Sequence, residues 1–219
     1  MKSRQSENLA TTMAKSKSSA QWLRRHVTDW YVHKAKEQGY RSRAAFKLIE
    51  IDEREHLLRP GVRVVDLGAA PGGWSQVAAR RSAPGGRVVA IDLLKIEPIS
   101  GVMVIQGDFL SEPSRREVVA ALGGKADLVL SDLSSNLTGI SGVDQARMTE
   151  LVEQAANFAL ETLTTRGVFL CKVFHGEGFD PAVAGLKHGF RSVAVRKPAS
   201  SRGESRETYL LAREPKAAA

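Results

Sequence analysis

The sequence has a single cysteine, Cys171, and this near-absence excludes an intrachain disulfide framework. A chain with one thiol suits a reducing compartment. Cys171 lies in an apolar run, so we interpret it as core packing rather than as a nucleophile. The five histidines are scattered, and no Cys/His spacing resembles that of a metal site. The sequence therefore predicts no bound metal.

Long apolar runs are missing as well. No run approaches the length of a membrane span, and the N-terminus has no apolar signal core. We therefore expect a cytoplasmic protein that has no membrane partner. Residues 1–20 are rich in Ser, Thr and Lys and hold few apolar side chains, which predicts a disordered basic tail. Because this tail is poor in acidic residues, an organellar address stays open.

The formal net charge is +8, and it is unevenly distributed. Residues 1–60 hold 13 Lys and Arg against 7 Asp and Glu, and residues 191–219 hold 7 against 3. Residues 61–190 hold 12 against 14 and are slightly acidic. Basic flanks around such a core are typical of a protein that grips a polyanion through its phosphates. The charge pattern favours a nucleic-acid partner.

Apolar runs of strand length alternate with helical segments, which predicts an α/β protein with a doubly wound sheet and ligands at the carboxyl ends of its strands. The length suits one domain, residues 21–219. Two amphipathic helices should precede the sheet, Trp22–Lys36 and a second that starts at the N-cap Ser42 and runs through Leu58. The later predicted elements are strands at Arg87–Asp92, Val102–Gln106, Ala126–Asp132, Gly167–Phe174, Phe190–Arg196 and Arg206–Ala212, and helices at Ser75–Arg81, Asp144–Leu163 and Phe179–His188, with another helix opened by Ser111 and Pro113.

The stretch from Val62 to Trp74 combines a buried strand, a glycine-rich turn and the start of a helix. This arrangement lets the backbone approach a ligand closely at the carboxyl end of a sheet. Asp92 ends the next predicted strand, where a partner for a ribose hydroxyl is expected. The stretch therefore predicts a nucleoside cofactor.

Two cofactors compete for this turn. A dinucleotide fingerprint requires G-x-G-x-x-G, but this chain has an alanine, Ala70, at the middle glycine. Pro71 also removes a backbone donor that a phosphate would need. Asp92 could bind the ribose of NAD or that of S-adenosylmethionine. The turn thus disfavours NAD and favours S-adenosylmethionine.

Lys172 lies within an apolar run, and a lysine there is harder to explain than an acidic residue at a strand end. Burial and a neighbouring ammonium disfavour the charged form of a lysine and can turn it into a base. A buried lysine also needs a carboxylate partner, for which Asp132 on the preceding strand is the natural candidate.

Together these segments resemble the FtsJ/RrmJ family of heat-shock ribosomal RNA methyltransferases, from about Trp22 to the last strand. The resemblance rests on Arg41-Ser42-Arg43-Ala44 through Lys47-Leu48, Asp66 to Trp74, Gly107-Asp108-Phe109, Lys172-Val173-Phe174 with Gly176-Glu177-Gly178-Phe179, and Arg196-Lys197-Pro198 with Ser205-Arg206-Glu207. It implies a Rossmann-like S-adenosylmethionine-dependent methyltransferase fold, with a mostly parallel sheet and an antiparallel last strand. The implied reaction is methylation of a ribose 2′-hydroxyl.

The resemblance also implies the site residues. The family's catalytic lysine, aspartate, lysine and glutamate fall on Lys47, Asp132, Lys172 and Glu207. Lys172 would accept or steer the proton of the 2′-hydroxyl, Asp132 would hold its ammonium, and Lys47 and Glu207 would orient the ribose. The implied cofactor contacts are Gly72, Trp74, Asp92, Asp108 and Asp132.

The chain departs from the family pattern at two places. Leu133-Ser134-Ser135-Asn136 stands where the family commonly has Met-Ala-Pro-Asn, which puts cofactor affinity in question. His175 stands where a glutamine is usual. Neither departure removes a catalytic group, so we expect activity.

The family's substrates include a uridine in the A loop of 23S ribosomal RNA, tRNA anticodon loops and messenger caps. The compact length and basic N-terminal helices resemble the ribosomal branch, which implies the assembled large subunit as substrate, RNA contacts from residues 21–60 and a monomeric enzyme. A tRNA methyltransferase and a non-catalytic RNA-binding assembly factor remain the alternatives.

Overall fold

The computed structural model describes residues 29–134, 139, 141–201 and 205–217. The predicted tail over residues 1–20 and the first part of the predicted helix Trp22–Lys36 lie outside the described residues. The described part of that helix is α1, Trp30–Glu37. Its N-cap is Asp29, whose carboxylate accepts a hydrogen bond from the Tyr31 amide over 3.0 Å.

Strands of the described residues form one sheet of seven, in the order β3-β2-β1-β4-β5-β7-β6. The strands are β1 (Arg63–Leu67), β2 (Arg87–Asp92), β3 (Val102–Gln106), β4 (Ala126–Ser131), β5 (Leu163–Phe174), β6 (Phe190–Arg196) and β7 (Glu207–Pro215). The remaining helices are α2 (Ala45–Glu55), α3 (Gly73–Ser82), α4 (Glu112–Leu122), α5 (Ser141–Thr162) and α6 (Phe179–Gly189). Strands β1 to β5 pair in parallel, and β7 is antiparallel to both β5 and β6. The predicted architecture is confirmed.

Helices cover both faces of this sheet. On one face α4, α5 and α6 pack over buried side chains that include Val65, Val129 and Phe169. On the other face α2 and α3 pack over Val64 and Leu128. The parallel strands read as continuous apolar runs because both of their faces are buried. No described helix is long and apolar enough to cross a membrane.

The second predicted helix begins later than expected. Helix α2 starts at Ala45, and its N-cap is Ala44, which makes no side-chain capping bond. Ser42 is therefore not the N-cap. Its hydroxyl lies instead against Gly73, where an added Cβ would come within 2.3 Å of it. The helix ends at Glu55, before the predicted Leu58, because the C-cap residue His56 adopts a left-handed backbone conformation with φ 52°.

The boundary between α5 and β5 also differs from the prediction. Strand β5 begins at Leu163 rather than Gly167, since Leu163 already pairs with Ala126 of β4. The β-branched pair Thr164 and Thr165 favours an extended backbone and opposes continuation of the helix. Strands β2, β3 and β6 have the predicted bounds, and Ser111 caps α4 as expected.

Candidate active site

The glycine-rich turn lies at the carboxyl end of β1, which pairs with β2 on one side and β4 on the other. A crevice at such a point, where the strand order reverses, is where α/β sheets bind their ligands. Gly72 has a φ of +105°, and a Cβ there would come within 2.4 Å of the Ile99 side chain. Only glycine therefore fits this turn.

Asp92 lies beside this turn at the end of β2. One carboxylate oxygen accepts the Ala70 amide and the other accepts the Leu94 amide, each over 2.8 Å. Each oxygen has a further lone pair, so the carboxylate can also accept ribose hydroxyls. Asp108 follows the neighbouring strand, β3, and is exposed. Its Oδ1 accepts the Leu110 amide over 2.9 Å.

Trp74 is buried, with 3% of its surface exposed. Its indole N–H donates to the Ala44 carbonyl over 2.8 Å, and its ring lies 5.6 Å from that of Tyr209. The side chain therefore joins α3 to α2 and to the sheet. A cofactor contact at this position would come from the backbone.

Asp66, near the end of β1, is a buried carboxyl at the base of the crevice. Burial raises the pKa of this carboxyl from 3.8 to about 7. A hydrogen bond from the Ser75 hydroxyl, 2.6 Å long, opposes the rise, and the nearby Asp132 carboxylate adds to it. The sequence marks Asp66 as an acidic strand end but does not reveal its burial.

The four residues of the implied catalytic set lie together at the carboxyl ends of β4 and β5. Lys172 is buried and lies 2.8 Å from the Asp132 carbonyl oxygen and 3.3 Å from its Oδ1. The ion pair suggested by the sequence is therefore present. Lys47, from α2, lies 2.7 Å from the Glu207 carboxylate.

Tyr209 connects these two ion pairs, and sequence reasoning did not identify it. Its hydroxyl lies 2.9 Å from Oδ1 of Asp132 and 3.4 Å from Oε1 of Glu207. One hydroxyl proton can serve only one acceptor at a time, and the shorter contact favours Asp132. The Ser201 hydroxyl also reaches Glu207 Oε1, over 3.0 Å.

The charges of the site follow from these contacts. Burial opposes ionisation of Glu207, but the Lys47 ammonium and, less strongly, Lys172 hold the pKa of its carboxyl below the usual value. Burial and the Asp132 and Glu207 carboxylates raise the pKa of Tyr209 well above its usual value. The Tyr209 hydroxyl therefore stays neutral and can donate a hydrogen bond to either carboxylate.

Arg41 and Arg43, the basic pair beside Lys47, are engaged within the protein. The Arg41 guanidinium donates to the carbonyls of Pro71 over 3.2 Å, Glu97 over 2.6 Å and Pro98 over 2.7 Å. Arg43 pairs with Asp29 and with the Ser200 carbonyl. Both guanidiniums therefore hold the segment before α2 in place around the crevice.

The two departures from the family pattern lie at the rim of the site. The Leu133 side chain covers Gly68 in the turn so closely that a Cβ there would come within 2.2 Å of it. Ser134 is described, but Ser135 and Asn136 lie outside the described residues. The ring of His175 is exposed and stacks on Phe179 with 4.4 Å between centroids.

Cys171 is fully buried, and burial raises the pKa of its thiol to about 12. It packs in the core, as the sequence predicts, and is not a nucleophile. Among the residues that the structure describes, no group of three or more His, Cys, Asp or Glu could hold a metal ion.

Comparisons with known proteins agree with this geometry. Residues 40–215 match the model of the FtsJ-like methyltransferase family. A relative from Marinobacter nauticus is 50% identical over 202 residues, which cover 92% of this chain and 98% of that protein. Another, from Nitrosospira multiformis, is 51% identical over 91% of this chain and 97% of its own. Both bear the name ribosomal RNA large subunit methyltransferase E.

A solved structure gives the same result at lower sequence identity. A candidate ribosomal RNA methyltransferase from Plasmodium falciparum superposes with a TM-score of 0.73 at 28% identity, covering 80% of this chain and 98% of that one. The family match spans the crevice and both ion pairs, and the curated relatives are half identical over nearly their whole length. The chain therefore belongs to the FtsJ-like methyltransferase family, whose members use S-adenosylmethionine.

Proposed function

We propose that the protein methylates the 2′-hydroxyl of a uridine ribose in the A loop of 23S ribosomal RNA, acting on the assembled large subunit. The observation that carries this proposal is the presence of two largely buried ion pairs, Lys172 with Asp132 and Lys47 with Glu207, beside the cofactor crevice. Withdrawing two lysines from water to this extent is unfavourable for stability alone, because desolvation offsets much of the Coulomb attraction. Such an arrangement is typical of a site that handles a proton.

The residues of the crevice fit S-adenosylmethionine. The Gly72 turn allows close approach of the backbone, and Asp92 has lone pairs left for two ribose hydroxyls. Asp108 lies at the end of the neighbouring strand, in reach of a base held along the same edge. When bound, the cofactor supplies an electrophilic methyl group on its sulfonium.

Lys172 has the central role in the proposed mechanism. Its Nζ, held by two oxygens of Asp132, would direct the 2′-hydroxyl towards the methyl group. In its deprotonated amine form Lys172 would take up the hydroxyl proton as the oxygen–carbon bond forms and the sulfur–carbon bond of the methyl group breaks. Asp132 would keep the amine in place and stabilise the ammonium that results. Alignment of the hydroxyl with the methyl supplies most of the rate enhancement, and proton transfer a smaller part.

Lys47 and Glu207 would act on the ribose. The Lys47 ammonium donates only, whereas the ionised Glu207 accepts only, so the pair offers a donor and an acceptor to neighbouring ribose oxygens. Tyr209 couples this pair to Asp132. The two ion pairs would thus position the hydroxyl as a unit.

The substrate assignment is supported by the relatives' printed name and by the basic flanks of the chain. We further propose that residues 21–60 contact RNA, as part of a single domain over residues 21–219. Trp30 is 61% exposed on α1, and the Lys34 ammonium lies 4.5 Å from its ring centroid. An exposed indole beside a lysine offers both stacking and charge to RNA. We propose a monomer that works in the cytoplasm, where it meets large subunits.

The test is transfer of a labelled methyl group from S-adenosylmethionine to large subunits that lack this methylation, with Lys172→Ala and the exposed-site control Lys187→Ala. We expect label in large-subunit RNA with wild type and Lys187→Ala, and none with folded Lys172→Ala. Resistance of the labelled linkage to alkali would place the methyl group on a ribose 2′-oxygen. Label in tRNA instead of large subunits would contradict the substrate assignment. Full activity of Lys172→Ala would remove Lys172 from the mechanism.

A further inference from the structure

A cavity of about 280 Å³ opens beside the two ion pairs, between the end of β5 and the first turns of α5 and α6. No residue assigned to the cofactor is part of the cavity lining; these residues are Gly72, Trp74, Asp92, Asp108 and Asp132. Lys47, Lys172 and Glu207 do not line it either. The cavity is therefore distinct from both and can receive a different part of the reacting complex.

Phe174 connects the cavity to the proposed reaction centre. It is the last residue of β5, lines the cavity, and has its ring centroid 5.8 Å from the Lys172 ammonium nitrogen. It also pairs with Glu207 in the β5–β7 register. One aromatic ring thus separates the cavity from the atom that would hold the ribose hydroxyl.

The cavity has an apolar floor and a polar rim. Met148, Val173 and Ala182 form part of the floor, and all three are buried. Gln145 and Arg206 lie at the rim. Gln145 Oε1 accepts the Glu177 amide over 3.1 Å, and its amino group has no hydrogen bond to any other described residue. Arg206 donates only, whereas the Asp144 carboxylate, which also lines the cavity, accepts, so the polar lining presents both donors and an acceptor.

This combination matches the chemistry of a nucleobase. An unstacked base has apolar faces and a polar edge, and proteins hold such bases against aromatic rings with hydrogen bonds to their edges. Phe174 and His175 supply the rings in the lining, and the His175 ring stacks on that of Phe179. The donors of Gln145 and Arg206 and the carboxylate of Asp144 suit an edge that carries carbonyl oxygens and an N–H group, as the edge of uracil does.

We propose that this cavity receives the base of the nucleotide whose 2′-hydroxyl is methylated, an inference that rests on the proposed function. The ribose carbon that carries the base is bonded to the carbon that carries the 2′-hydroxyl. A hydroxyl at Lys172 therefore obliges the base to lie within a few ångströms, on the side where space exists. The target nucleotide must leave its stack to enter, as for other enzymes that act on an extruded nucleotide.

The test fills the cavity without touching the cofactor crevice. Met148→Trp places a large ring in the floor, and Thr149→Phe does the same from a half-buried position at the lining. Asn157→Trp, on an exposed position of α5, is the matched control. The measurements are kcat/KM for methyl transfer to large subunits, Kd for S-adenosylmethionine by calorimetry, and Tm.

We expect the filled variants to lose about 100-fold in kcat/KM, because a ribose displaced by about an ångström is misaligned for transfer. Their Kd for S-adenosylmethionine should equal that of wild type, and Asn157→Trp should match wild type throughout. Should Met148→Trp unfold, Thr149→Phe decides the question.

Two outcomes would overturn the inference while leaving the proposed function intact. In the first, wild type labels large subunits and a folded, filled variant labels them equally well. In the second, the filled variants lose affinity for S-adenosylmethionine, which would make the cavity part of the cofactor site. If wild type itself labels no large subunit, the proposed function fails and this inference with it.

Discussion

The phenol of Tyr209 lies 2.9 Å from Oδ1 of Asp132, and this contact joins β7 to the end of β4 across the intervening strand β5. The same hydroxyl lies 3.4 Å from Glu207. Tyr209 is fully buried, and its raised pKa keeps it a donor. A single side chain therefore sets the spacing between two carboxylates that belong to different ion pairs.

Tyr209→Phe should slow methyl transfer while preserving the fold. The ring that packs against Trp74 is kept, and only the hydrogen bond to the carboxylate is lost. Because a hydrogen bond to a charged group contributes roughly 1.5–3 kcal/mol, we expect kcat to fall about 10- to 100-fold. Thr162→Val is the control, since it removes a buried 2.7 Å hydrogen bond to the Phe158 carbonyl at the end of α5, away from the site and from the segment proposed to contact RNA. A Tyr209→Phe enzyme with wild-type kcat would exclude a positioning role for the hydroxyl.

Breaking the Lys47–Glu207 ion pair should destabilise the protein more than removing both charges. Each side chain is only 12% exposed, so Lys47→Met leaves a nearly buried carboxylate without its partner, at a cost of about 3–5 kcal/mol. Adding Glu207→Gln should restore part of this free energy of unfolding, measured by urea denaturation.

Activity should stay low in the single and double variants, because both groups are proposed to act on the ribose. The corresponding control substitutions, Arg116→Met and Glu112→Gln, remove an exposed ion pair on α4 and should alter neither stability nor activity appreciably. Strict additivity of the Lys47→Met and Glu207→Gln effects on stability would contradict the coupling.

The stability of the protein should depend on pH through Asp66. Its pKa is about 7 when folded and 3.8 in an unperturbed chain, so between these values the folded state holds a proton that the unfolded chain has lost. The contribution of Asp66 to the free energy of unfolding is therefore greatest below about pH 4, declines as the pH rises, and levels off above about pH 7.

Asp66→Asn removes this titration. Relative to the variant, wild type should lose stability on the order of 4 kcal/mol at most across that window. Urea denaturation of both proteins at several pH values between about 5 and 8 measures the difference. A difference that does not change with pH would show that the folded carboxyl has an ordinary pKa.

Gly72→Ala should weaken cofactor binding. The backbone φ of +105° is strained for alanine, and its Cβ would clash with the Ile99 side chain at 2.4 Å. We expect the Kd for S-adenosylmethionine to rise about tenfold or more, equivalent to 1.4 kcal/mol per factor of ten. Gly185→Ala is the control, because nothing lies within 4 Å of its Cβ in α6. That substitution should stabilise the helix by roughly 0.5–1 kcal/mol and leave cofactor affinity unchanged. Equal Kd values for Gly72→Ala and wild type would show that the turn tolerates a side chain.

The sheet could be predicted from the sequence because its strands are buried on both faces and so stand out as apolar runs. Asp92, at the end of such a run, was placed at the crevice by the same reasoning. Tyr209 could not be predicted as a site residue, because in the sequence it is a single aromatic residue within an apolar strand. Its position depends on the antiparallel register that sets it opposite Lys172. The register between β5 and β7 is set by packing in the folded protein and cannot be inferred from either strand's sequence.

The basic segment before α2 shows a second limit of sequence reasoning. Arg41 and Arg43 appear available for RNA because charged residues usually face solvent. Apart from the Asp29 carboxylate, which pairs with Arg43, their partners are the backbone carbonyls of Pro71, Glu97, Pro98 and Ser200, which carry no signal in the sequence. The end of α2 likewise depended on the backbone conformation of His56, a residue type without a strong turn preference.

The position of β7 has a consequence for how the protein folds during its synthesis. It inserts between β5 and β6, although it follows both along the chain. A nascent chain that has emerged only as far as β6 already carries every residue assigned to the cofactor, yet it lacks Glu207 and Tyr209. Until β7 enters its slot, Lys47 has no carboxylate partner and Asp132 no phenol. Under the proposed mechanism, an unfinished or truncated polypeptide would not modify RNA, because its catalytic residues come together only when the sheet is complete.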